Sequence, residues 1–307
     1  MRYILLLTAL LSSGVFASDF DETMKLAQDG DAKGQYDLGN LYYQGTDVTA
    51  DNKEAVKWFL KAAKQGLAIA QGHLGHMYLR GLGVRKSNSA AVRWLRKSAD
   101  QGYARGQAEL GHMYRTGEGV RENPTEAARW YRKAADQGLA PAQLLLGQMY
   151  HNGLGVQKSV TEAVKWYRVA AAQGFVEAQN HLGWAYVLGE GVPENDMEAV
   201  SLFRSTAEQG DANGQYNLGW MYEHEKGVPR EHNSCGNTLT SGVCYISDLK
   251  SENAIRSYAW YSLAKSQGYA DAATSIDLLK SRMTRQQIAE AQALAAKCYE
   301  SNYSDCD

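Results

Sequence analysis

The residues whose types and spacing could support chemistry are few. His73 and His76 sit three apart and are followed by Arg80, His112 and Arg115. Two histidines at this spacing share one helical turn and could begin a metal site, but a tetrahedral centre needs a third and fourth ligand. The sequence fixes no carboxylate or further histidine beside them, so no metal is expected. The same stretch leans cationic and could receive an acidic peptide or a carboxylate; read plainly, it is a solvated polar face. Cys235, Cys244, Cys298 and Cys306 contain no C-x-x-C, which argues against redox catalysis. Two local disulfides, Cys235–Cys244 and Cys298–Cys306, are expected because proximity favours them among the three possible pairings.

Several motifs are decoys. The run from Asp29 to Gly34 resembles the start of a calcium loop, but Lys33 stands at a ligand position and Asn40 replaces the bidentate glutamate. His224-Glu225 lacks the second histidine of a zinc-protease helix. No phosphate loop and no G-x-S-x-G elbow occurs, and no Ser or Cys has a fixed base nearby. No cofactor is expected, and the chain reads as no enzyme.

The elements that position these residues follow from a period. Leu-Gly recurs at Gly39, Gly75, Gly111, Gly147, Gly183 and Gly219, each step 36 residues. A Gln precedes each of these Leu by three, from Gln35 to Gln215, and a Tyr follows each Gly by three, from Tyr42 to Tyr222. Each unit closes on Gln-Gly. Ala70, Leu74, Met77 and Tyr78 share one helical face, and Ala91, Trp94, Leu95, Ser98 and Ala99 share another. Gly81 and Gly102 stop the two helices. The Gly inside each first helix costs about 1 kcal/mol relative to Ala, so close approach of the paired helix, with its small Ala residues, must compensate. One hairpin cannot bury its own face; neighbours must stack. The expected fold is all-α, a right-handed superhelical α/α solenoid.

The expected organisation is a signal peptide at 1–17, an N-terminal capping helix at 18–30, six repeats at 31–268, and a degenerate repeat with a C-terminal capping helix at 269–307. Arg2, the apolar Ile4–Leu11 and the small-residue site ending at Ala17 form the leader. It is too short to span a membrane, and no other segment is apolar enough. The product should be periplasmic or secreted. Within the sixth repeat Val228 to Trp260 spans 32 positions where Val84 to Trp94 spans 10. The extra residues, about 229–252, form an insertion carrying Cys235 and Cys244. Thr284 with Gln287 reads as a capping box. A net charge of −2 in 307 residues gives no basic surplus, so nucleic acid is not an expected partner.

Two columns on the first helices should face a partner. After Leu-Gly they read Asn40, His76, His112, Gln148, Trp184 and Trp220. Two before Gly they read Asp37, His73, Glu109, Leu145, His181 and Asn217. Trp184 and Trp220 stand where earlier repeats are polar. They are either exposed binding anchors or aromatics packed under the insertion or the C-terminal cap.

The pattern A-x-x-x-L-G-x-x-Y-x-x-G-x-G-V…A-x-x-W-x-x-x-A-A-x-Q-G, met at 67–102, 103–138 and 139–174, resembles the Sel-1-like repeat (SLR) family, a relative of the tetratricopeptide repeats. The resemblance covers about 31–268. The stretch from Tyr258-Ala259-Trp260-Tyr261 through Met283-Thr284-Arg285 to Ala296 also resembles the end of bacterial members. It implies a non-catalytic adaptor binding an envelope or secreted protein on its concave wall, monomeric when alone. An immunity-type inhibitor of an exported toxin is a narrower form of the same expectation. A cysteine-rich branch of the family is linked to β-lactam binding, which makes a β-lactam-binding hydrolase the other alternative; the repeat cysteines of that branch are missing here.

Overall fold

The computed structural model describes residues 19–228 and 247–306. The expected leader at 1–17 lies outside them, as do Cys235 and Cys244. Among the described residues there are fifteen α-helices and no strand, as the 36-residue period requires. The helices group into two compact units, divided between Asn123 and Pro124.

The first unit holds α1 (Asp19–Gln28), α2 (Ala32–Gln44), α3 (Asn52–Lys64), α4 (Ala68–Arg80), α5 (Asn88–Asp100) and α6 (Ala104–Thr116). The second holds α7 (Pro124–Asp136), α8 (Ala140–Asn152), α9 (Val160–Ala171), α10 (Val176–Leu188), α11 (Asp196–Glu208), α12 (Ala212–Glu223), α13 (Ser247–Ser266), α14 (Ala270–Lys280) and α15 (Arg285–Glu300). Even-numbered helices from α2 to α12 are the first helices of the repeats. Helix α13 starts at Ser247, inside the segment read from sequence as insertion.

Helix ends are set by side chains. The hydroxyl of Ser87 accepts from the Ala90 amide at the start of α5, and the Asp51 carboxylate accepts from Lys53 and Glu54 at the start of α3. These contacts satisfy amides that have no partner inside the helix. At the other end Gly81 takes φ +72° and returns its amide to the Met77 carbonyl. The second loop glycine is required for a different reason. Gly83 has φ +68°, and a β-carbon there would fall 2.1 Å from the carbonyl oxygen of Asn52. The loop thus presses on the start of α3.

The Leu-Gly glycine is explained by a large residue, which corrects the expectation that small Ala residues make room for the crossing. A β-carbon on Gly75 would lie 2.7 Å from Leu95 Cγ, and one on Gly39 would lie 2.7 Å from the Phe59 ring. Gly147 stands in the same way against Tyr167, Gly183 against Phe203 and Gly219 against Tyr261. The glycine is the socket for a large core residue of the paired helix, and all five of these residues are buried. Their burial offsets the glycine's helix cost, since a buried Leu or Phe side chain contributes about 1.5–3 kcal/mol.

Successive hairpins are joined by the Gln column. Gln71 donates to the Ala63 carbonyl at 3.1 Å and accepts from Gln101 at 2.8 Å. Gln143 does the same with Ala135 at 3.1 Å and Gln173 at 2.8 Å. Both Gln71 and Gln143 are buried, and a buried amide is tolerated only when its groups are paired. A second bond repeats on the other side of the hairpin. Arg168 donates to the Tyr186 hydroxyl at 3.2 Å and Arg204 to the Tyr222 hydroxyl at 2.7 Å. At the C-terminus the Thr284 hydroxyl accepts from the Gln287 amide at 3.2 Å, and the Gln287 side chain accepts from the Thr284 amide at 2.8 Å. The capping box read from sequence is formed.

Candidate binding wall

Helical periodicity places Glu177, His181, Trp184 and Leu188 on one stripe of α10, and the structure ties that stripe to its neighbours. Gln148 of α8 donates to Nε2 of His181 at 3.1 Å. Trp184 donates its indole N–H to Asn217 Oδ1 of α12 at 3.2 Å. In the first unit His76 Nδ1 lies 3.1 Å from Glu109 Oε1 in the same relation. The two columns read separately from sequence are therefore coupled. The residue after Leu-Gly in one repeat bonds the residue two before Gly in the next.

Trp184 and Trp220 are both half-buried, with ring centroids 5.1 Å apart. Trp184 also meets Phe203 at 5.7 Å, and His224 stacks on Trp220 at 4.0 Å. Both rings pack on the core that includes Val187, Phe203 and Leu218. Trp220 additionally packs on the C-terminal cluster of Tyr258, Tyr261 and Ile276. Asn217, read from sequence as a partner-facing residue, is buried at 5% exposure. Its side chain is bonded to Trp184 and Asn180, so it positions the indole.

His181 stacks on Tyr167 with centroids 5.1 Å apart. Burial against that ring lowers the imidazole pKa, and neighbouring His151 lowers it further. An imidazole Nε2 that accepts from Gln148 is a neutral ring. Burial likewise pushes the Tyr167 hydroxyl up to about 12. Around these residues opens a cavity of about 500 Å³, lined by Gln148, His151, Asn152, Val164, Tyr167, His181, Trp184, Ala185, Leu188 and Glu190. Tyr167, Leu188 and Glu190 were not read as site residues. A signal existed for Leu188: its column holds Gln44, Arg80, Thr116 and Asn152 in the earlier repeats.

The first unit's stretch is less cationic than its composition suggests. His73 meets Tyr36 and Phe59 with ring centroids at 5.3 Å each. Burial there lowers its pKa, and Arg105 adds to the effect. His112 is lowered by burial and by Arg115, whose guanidinium donates to its Nδ1 at 3.3 Å. Arg80 and Arg115 remain as exposed charges. A carboxylate does stand beside His76: Glu109, supplied by the next repeat, which corrects the expectation that none would. Among the described residues no three His, Cys, Asp or Glu are grouped to hold a metal. In the calcium-like run, Asp31 is the N-cap of α2 and accepts from the Gly34 amide at 2.5 Å.

Cys298 and Cys306 lie at disulfide distance, with Cα atoms 4.5 Å apart, and both are buried. Tyr303, between them, packs on the core beside Gly210. No helix among the described residues is long and apolar enough to cross a membrane.

A family model described as Sel1 repeat matches residues 32–67, 68–103, 104–139, 140–175, 176–211, 212–234 and 243–269, well over half of the chain. Two solved structures are similar. One is a protective antigen of uropathogenic Escherichia coli strains displaying an SLR fold, at 30% identity and a TM-score of 0.68, over 91% of this chain and 64% of the antigen. The chain thus spans a little under two thirds of that relative's length. The other is a Sel1 repeat protein from Oxalobacter formigenes, at 28% identity and a TM-score of 0.64, over 80% of this chain and 91% of that one. No curated protein sequence matches the chain.

Proposed function

The chain belongs to the Sel1 repeat family, and from that premise we propose that it is a non-catalytic scaffold holding a protein partner on the first-helix wall of its second unit. The observation that carries the reading is the Trp184–Trp220 pair. Two adjacent, half-buried indoles, each packed on the core, form an aromatic pair. Tryptophan is the residue most enriched among interface anchors, because a large rigid ring loses little freedom on binding. The polar groups of the wall hold side chains in place: His181 Nε2 is engaged by Gln148 and the Trp184 indole N–H by Asn217. Export is part of the proposal. Cys298 and Cys306 at disulfide distance fit an oxidising compartment, and residues 1–17 have the composition of a leader.

The experiment is capture from an envelope extract with residues 18–307 as bait, beside Trp184→Ala/Trp220→Ala and Trp184→Phe/Trp220→Phe. Circular dichroism first establishes that each variant is folded. A protein retained by the wild type, and bound more than about 2 kcal/mol more weakly by the folded Ala variant, supports the reading. Unchanged affinity in that variant overturns it. β-Lactam turnover that survives repeated purification would overturn the non-catalytic part.

A further inference from the structure

We propose that the cavity between α8, α9 and α10 receives one apolar side chain of the partner, with a lysine or arginine of the same partner segment set against Glu190. The inference deepens the wall reading and rests on it. The buried part of the cavity lining is Val164, Tyr167 and Ala185, with Trp184 half-buried beside them. Its volume of about 500 Å³ falls in the range of sites that enclose a ligand group, roughly 300–1,000 Å³. Leu188 stands at the edge at 60% exposure, a large apolar side chain left to water beside an apolar hollow.

Charge selects the rest of the segment. No lysine or arginine lines the cavity, and Glu190 is its one carboxylate. Glu190 is exposed and makes no ion pair among the described residues. The imidazole of His181 accepts from Gln148 and so adds no positive charge. The equivalent positions in the first unit vary: Arg80 stands in the Leu188 column with Leu82 in the Glu190 column, and one repeat later these columns hold Thr116 and Glu118. An acidic segment would be repelled by Glu190, whereas a basic one gains a partner. Opposite charges at such a rim steer and orient a ligand more than they tighten it.

The test uses two blocked tetrapeptides, AFKA and AFEA, titrated into residues 18–307. The readout is the NMR resonance of the Trp184 indole N–H. The expected result is a saturable shift with AFKA bound about fivefold more tightly than AFEA, the size of an exposed charge pair. Glu190→Lys should invert that order, and Leu188→Asp should weaken both peptides. Equal affinities, an order indifferent to Glu190→Lys, or no saturable shift at about 10 mM, which is weaker than any useful side-chain subsite, would overturn the inference. Failure here is distinguishable from failure of the wall reading. A captured protein lost by the Trp→Ala variant but held undiminished by Glu190→Lys and Leu188→Asp leaves the wall standing and removes the cavity.

Discussion

Trp184 donates its indole N–H to Asn217, one repeat further along, and Asn217 is buried where Trp184 is not. The acceptor is thus fixed by the core and the donor is fixed by the acceptor. Asn217→Leu keeps the branched outline of the side chain and removes the oxygen. An unmet donor costs about 1–3 kcal/mol when it is shielded from water. Thermal or urea unfolding of Asn217→Leu should show a loss of that size, with a shift in tryptophan emission. Unaltered emission and stability would mean that the bond holds nothing in place.

Gly75 and Leu95 offer a cleaner case of coupling. Gly75→Ala drives a methyl group to within 2.7 Å of Leu95 Cγ, an overpacking that typically costs about 1–3 kcal/mol. Leu95→Ala alone opens a void and costs about 2–5 kcal/mol. Combined, the two changes should be less destabilising than their sum, because the added methyl then enters space already vacated. A double-mutant cycle by urea denaturation measures this; strict additivity would refute the socket.

His73 predicts an acid-sensitive fold. Burial lowers its pKa below the ordinary value of 6.5. Below pH 6.5 the unfolded chain therefore binds a proton before the folded one does, and stability falls with pH until the folded ring also titrates. Above pH 6.5 the contribution is complete. His112 and His181 are lowered for the same first reason and act in the same direction. The melting temperature should decline between about pH 7 and pH 5, and His73→Gln should flatten part of that slope. A profile identical in His73→Gln would remove His73 as a cause.

Cys298 and Cys306 close a short loop, with a sequence separation of 8. A loop of that size restrains the unfolded chain by about 2–3 kcal/mol in the chain-entropy model. Reductant should lower the melting temperature of the wild type by more than that of Cys298→Ser/Cys306→Ser, which keeps only Cys235 and Cys244. Equal responses from both proteins would place the effect elsewhere.

Much of this architecture was legible in the chain. The 36-residue spacing fixed the hairpins, and the positions of Gly81, Gly102 and Thr284 marked helix ends, because those features depend on local backbone geometry. The partner of Gly75 was not legible. Which residue of α5 faces it depends on how two helices cross, and several residues of one face satisfy the same periodicity. The His76–Glu109 and Trp184–Asn217 bonds were hidden for a related reason. Each joins two columns that the period displays separately, and only the offset between adjacent repeats brings them together. The cavity beside Leu188 escaped because it is made by three helices at once. His73 and His112 read as charges in the sequence, and their burial decides otherwise.

The Gln71 and Gln143 joints have a consequence for how such a chain can change length. Each amide bonds a main-chain carbonyl behind it and another glutamine ahead, so the joint ignores the identity of the residues that differ between repeats. Excision or duplication of one complete 36-residue module presents the same donor to the same acceptor and restores the seam. A gain or loss of any other length inside a helix rotates the glutamine away and strands a buried amide. Modular growth is therefore permitted at the seams, while the faces that distinguish one repeat from the next remain free to diverge.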